Sequence, residues 1–134
     1  VQDNIGISKD FNVFELQTAL SKKNTSKAFQ IVEYFGANPK SNPIQMVLGA
    51  LNSYFTKVLK YHYCKKSPNL AKDLGVNPYF IKDYTLAAAN YPPSKVFDVI
   101  SYLREYDLKS KGVDTGGNIE NGELLKELVF KILS

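Results

Sequence analysis

Residues 41–68, SNPIQMVLGALNSYFTKVLKYHYCKKSP, constrain the fold more than any other stretch of the chain. Asn42 is placed to cap a helix, and Pro43 to take its first position, where a missing N–H costs nothing. The helix should run to about Lys66. Ile44, Val47, Leu48, Leu51, Phe55, Val58 and Leu59 form one apolar stripe along it. Met46, Ala50, Tyr54 and Tyr61 carry apolar character onto a second face, so the helix has to be covered from more than one side. Gly49 costs ~1 kcal/mol relative to Ala inside a helix and suits close approach of a neighbouring one. Nowhere does a sustained period-2 pattern spell a strand, which leaves an all-α bundle.

Helix punctuation on either side gives about seven helices in a single domain over residues 1–134. Asn12 with Glu15 makes a capping-box start, with Phe11 and Leu16 at the staple positions, for a first helix from about Val13 to Lys22. Asn24 or Thr25 starts a second, turning Ala28, Phe29, Val32 and Phe35 inward, with Gly36 as a left-handed stop. Ser67 and Pro68 begin a short helix that Gly75 ends, and Asn77 with Pro78 begin the next, to about Asn90. From Ser94 a long helix turns Val96, Val99, Ile100 and Leu103 inward and stops near Lys109 and Gly112. The composition of residues 112–121 reads as a flexible loop. A closing helix, ELLKELVFKILS, sets Leu124, Leu125, Leu128, Val129, Ile132 and Leu133 against Glu127 and Lys131. Residues 1–10 read as a linker from a preceding region, since the chain begins at Val1 without a Met or a charged leader.

Composition narrows the function. Seventeen basic against thirteen acidic residues leave a net charge of +4, with the lysines scattered. That balance permits contact with nucleic acid without specifying it. No apolar run approaches the ~20 residues of a membrane span. The single Cys64 forms no intramolecular disulfide, in keeping with a reducing, cytoplasmic setting.

The stretch LAKDLGVNPYFI, residues 70–81, has the spacing of a helix-turn-helix. Leu70, Ala71, Leu74, Gly75, Val76 and Ile81 supply the packing, with Leu74, Gly75 and Val76 as its structural turn. The outward positions of the second helix fall to Pro78, Tyr79, Lys82, Asp83 and Leu86. Only Lys82 among them suits a groove contact, and the Arg, Asn and Gln side chains fit for bidentate base readout are missing. A helix-turn-helix-like DNA-binding domain is therefore the second reading, and two core helices meeting at a glycine turn the first.

Catalytic, cofactor and metal sites are not called for. The chain has no Gly-rich phosphate loop and no GKS or GKT. His62 and Cys64, two apart on a helix, diverge and cannot chelate one ion. His62 reads as a half-buried, hydrogen-bonded histidine, Cys64 as packing, and Asp107 as a carboxylate in a structural ion pair or cap.

In order, FNVFELQTALSKKNTSKAFQIVEYF, LAKDLGVNPYFIKDY, LREYDLKSKGV and GELLKELVFKIL resemble the C-terminal region of the delta subunit of bacterial DNA polymerase III, a clamp-loader component. The resemblance runs from about Phe11 to Leu133 and departs from the family pattern at the long VDTGGNIENG loop. It implies a helical collar domain, a non-catalytic oligomerisation module that holds its subunit in a hetero-oligomeric ring with the other loader subunits. It also implies that the sliding clamp is engaged through an N-terminal region absent from this chain, and that DNA is met only indirectly or weakly. On that basis Met46, Tyr54 and Tyr61 are the candidate subunit interface, with Tyr54 and Tyr61 expected to be partly exposed.

Overall fold

The computed structural model describes residues 10–112 and 120–134. Among them are seven α-helices: α1 (Val13–Ser21), α2 (Thr25–Ala37), α3 (Ile44–Cys64), α4 (Leu70–Leu74), α5 (Ile81–Asn90), α6 (Pro93–Ser110) and α7 (Asn121–Leu133). A 3-10 turn, Pro78–Phe80, leads into α5, and no strand occurs among the described residues. The linker at 1–10 and the loop at 112–121 lie mostly outside the described residues.

Local rules account for several helix ends. Asn12 Oδ1 accepts from the Glu15 N–H at 2.9 Å, and Asn24 Oδ1 from the Lys27 N–H at 3.2 Å. Asn77 Oδ1 does the same for Tyr79 at 2.8 Å. Each side chain satisfies an N–H that has no partner inside the helix. Gly75 ends α4 with φ +73°, and its N–H and that of Val76 return to the Ala71 carbonyl. Phe11 packs on Tyr34 of α2, ring centroids 5.2 Å apart, so it fastens the first helix to the second.

Four expected ends fall elsewhere. Helix α3 starts at Ile44 with an extended Pro43 as its N-cap, and it stops at Cys64. Asn42 is buried and faces back, its side chain and its N–H both donating to the Asn38 carbonyl, which closes the α2–α3 connection. Helix α4 begins at Leu70; Ser67 Oγ accepts from the Asn69 N–H and donates to Asp73 Oδ2 at 2.7 Å, bracing the turn before it. Gly36 is not a left-handed stop, since positive φ among glycines occurs at Gly75 and Gly112. It lies within α2, and its lack of a side chain serves contact with α7.

Helix α3 forms the centre and packs on α6, α5, α4 and α1. Helices α1 and α2 make the expected hairpin, and α7 lies against both α2 and α6. The stripe Ile44, Val47, Leu48, Leu51, Phe55 and Val58 is buried. So is the second face at Tyr54 and Tyr61, only 6% and 9% exposed. Their expected partial exposure is thus corrected: α5 covers them, with the Tyr84 ring 5.2 Å from Tyr54 and Thr85 Oγ1 2.9 Å from the Tyr61 hydroxyl. At Gly49 no neighbour comes within 4 Å of the place a β-carbon would take, so no helix uses it for close approach.

Tyr91, fully buried at the break between α5 and α6, ties the two halves of the bundle. Its hydroxyl donates to the Leu20 carbonyl at 2.6 Å, Asn90 Nδ2 donates to the Ser21 carbonyl at 2.7 Å, and the Tyr91 ring stands edge-on to Phe55. The Ser21 carbonyl and the Leu20 carbonyl, which also accepts from the Lys23 N–H at 3.0 Å, so gain partners sixty-nine and seventy-one residues away at the C-terminus of α1.

Candidate interaction surface

His62 is half-buried, with Nε2 2.8 Å from the Tyr91 carbonyl oxygen, which is the satisfied histidine its position on α3 suggests. Cys64 is a free, half-buried thiol. Asp107 pairs with Lys111 at 3.0 Å, one turn along α6. Among the described residues no three His, Cys, Asp or Glu side chains gather into a metal-binding group. No described helix is long and apolar enough to cross a membrane.

The helix-turn-helix spacing at 70–81 folds as a packed corner. Leu74 is buried, and Leu70, Val76 and Ile81 lie against the core. Pro78, Tyr79, Lys82, Asp83 and Leu86 point outward as the sequence indicates. The exposed face therefore offers a tyrosine whose ring carries Lys82 at 6.0 Å, a carboxylate and a leucine. That set lacks the paired donor and acceptor geometry that distinguishes base edges.

Where the surface is unusual is in its exposed aromatics. Phe14 on α1 is 72% exposed and Phe80 at the start of α5 is 47% exposed, and both line one groove of about 200 Å³. Its floor is Tyr54 and Tyr84, and Gln17, Thr18 and Asp83 edge it. Burial pushes the hydroxyl of Tyr54 well above the usual tyrosine range, against a hydrogen bond with Ser21 that works the other way, and burial also raises that of Tyr84. The groove floor is therefore neutral at any physiological pH. Tyr79 stands edge-on to Phe80 at 5.3 Å and extends the aromatic rim. Phe97 and Phe130 are also exposed, at 53% and 67%, but neither lines this groove; exposed apolar side chains gathered beside a cleft mark a candidate contact surface.

Of the sequence candidates, Tyr54 is thus the floor of a groove. Tyr61 is part of the α3–α5 packing, and Met46 is exposed near the start of α3. Phe14 and Phe80 escaped sequence reading because only the α1–α5 packing brings them to one groove. The signal that could have found Phe14 is its place in the first turn of α1, on the side opposite Leu16 and Leu20.

Comparison with known sequences agrees with the ordered motifs. The family model for the DNA polymerase III delta subunit, C-terminal domain, matches residues 10–130. No curated protein and no solved structure matches the chain.

Proposed function

The chain belongs to the family formed by the C-terminal domain of the DNA polymerase III delta subunit, and we propose that it works as a non-catalytic oligomerisation module, holding its subunit in the clamp-loader ring during DNA replication. The observation that carries this reading is the exposed pair Phe14 and Phe80 across the α1–α5 groove. Rigid aromatic side chains at the rim of a cleft with an aromatic floor and a polar edge at Gln17, Thr18 and Asp83 are the kind of surface that protein partners bury. The partners in this reading are the other clamp-loader subunits, in the cytoplasm. The sliding clamp is left to an N-terminal region, and DNA contact is weak and salt-sensitive through the scattered lysines.

The test is co-assembly of the protein with the other loader subunits, read by size-exclusion chromatography and by titration. Phe14→Asp with Phe80→Asp should leave the helical circular dichroism signal intact, since both rings are exposed, and should weaken assembly at least tenfold. Wild-type affinity in that folded double variant would remove this groove from the interface. Tight, sequence-selective binding of duplex DNA at physiological salt would instead favour the second reading, the helix-turn-helix.

A further inference from the structure

A second groove lies on a different face, between α3 and α6, with a volume of about 330 Å³. Leu48 and Leu103, both buried, and the half-buried Ile100 form its floor. Arg104 stands on one wall and Gly49 on the other. Four features of this groove belong together. Arg104 is the only arginine in the chain, every other basic residue apart from His62 being a lysine. Among the described residues no carboxylate, carbonyl or ring holds its guanidinium. The nearby carboxylate in the groove, Asp107, is taken up by Lys111 at 3.0 Å. And Gly49 leaves open space: a β-carbon there would meet nothing within 4 Å.

Charge and shape together define what fits. A guanidinium presents a planar fork of donors that matches a carboxylate with two parallel hydrogen bonds, which an ammonium cannot do. An apolar floor beneath it rewards a neighbouring apolar side chain, and a glycine wall lets a partner backbone come close. Gln45, whose side chain donates to Ser110 Oγ at 2.6 Å, also lines the groove.

We infer that the α3–α6 groove docks a segment of a neighbouring clamp-loader subunit that carries an aspartate or glutamate for Arg104 and an apolar side chain for the floor at Leu48, Ile100 and Leu103. This rests on the ring-assembly reading above but concerns a face other than the Phe14 and Phe80 groove. A subunit within a ring has two neighbours, so two separate docking faces are what the geometry of a ring requires.

The experiment is the same assembly titration with three single variants, Arg104→Glu, Arg104→Lys and Gly49→Leu. Both sites are on helix surfaces, and circular dichroism checks that each variant folds. Arg104→Glu and Gly49→Leu should each weaken assembly at least tenfold, the first by repelling the carboxylate and the second by filling the groove. Arg104→Lys should lose less than Arg104→Glu. Wild-type affinity in both Arg104→Glu and Gly49→Leu overturns the inference. So does a loss with Arg104→Glu that Gly49→Leu does not share, because that marks long-range charge rather than docking. Assembly that fails only in the Phe14 and Phe80 variant removes this inference and leaves the ring reading standing, whereas an unmodified protein that does not assemble at all removes both.

Discussion

A β-carbon placed on Gly36 would stand 3.1 Å from the Cα of Gly122, and one placed on Gly122 would stand 3.1 Å from the Cα of Gly36. Helices α2 and α7 therefore cross backbone to backbone at this pair. The absence of a side chain on either residue lets the C-terminal helix take this close approach in its place between α2 and α6. Nearby, Lys126 Nζ of α7 pairs with Glu33 Oε1 of α2 at 2.9 Å, on the solvent side of the same crossing.

Alanine at either glycine should be destabilising. The helix-propensity gain of Gly→Ala is about 0.5–1 kcal/mol, but the atom it meets is backbone, which cannot rotate away. Forcing the helices apart costs about 1–3 kcal/mol. Urea melts of Gly36→Ala and Gly122→Ala should both show a lower midpoint; a raised midpoint in both would mean that the crossing relaxes freely.

Gly49 offers the opposite case in the same protein. It lies inside α3, in the second turn, exposed, with nothing near its missing β-carbon. Gly49→Ala should stabilise the fold by about 0.5–1 kcal/mol through helix propensity and the narrowed unfolded ensemble. The same melts check it, and a loss of stability would show that α3 is bent or crowded at that point.

The contrast between these glycines marks the boundary of what the sequence discloses. Caps at Asn12, Asn24 and Asn77 and the left-handed Gly75 follow from chemistry within four residues, and they are readable in the chain. Gly36 carries the same local signal as Gly75, yet its role depends on Gly122, eighty-six positions away. Tyr54 and Tyr61 misled for the same reason. A second apolar face on α3 says that something covers it, and only the tertiary arrangement says that α5 does so rather than another subunit. The surface candidates were least legible of all. Phe14, Phe80 and Arg104 satisfy no local rule, and their meaning comes from the grooves between helices distant in sequence.

The corner at Leu74 and Gly75 should fail through unfolding when altered. Leu74 is 3% exposed, so Leu74→Ala removes buried carbons and leaves a cavity, costing about 2–5 kcal/mol. At φ +73° Gly75 tolerates no β-branched residue without strain, and Gly75→Val should also lower the melting midpoint. Thermal melts with both midpoints unchanged would show that this turn is not a packed corner.

The acid dependence of stability should pass in part through Glu105. This carboxylate bridges Lys109 at 3.2 Å and Lys131 at 3.5 Å, joining α6 to α7. Burial pushes its pKa up, but the hydrogen bond from Lys109 and the charges of Lys131 and Lys109 outweigh that and hold it below the ordinary value of 4.5. A carboxyl with a depressed folded pKa binds its proton more readily when unfolded. Its contribution is therefore present in full above about pH 4.5 and is lost as pH falls through the lower folded value. With the side chain 41% exposed, solvent screening keeps the contribution under about 1 kcal/mol. Glu105→Gln should be slightly less stable than the unmodified protein at pH 7 in low salt. The gap should close between pH 5 and pH 3, and added salt should narrow it as well. Urea melts across that range check both trends, and a gap that stays constant with pH would mean that Glu105 acts by packing rather than by charge.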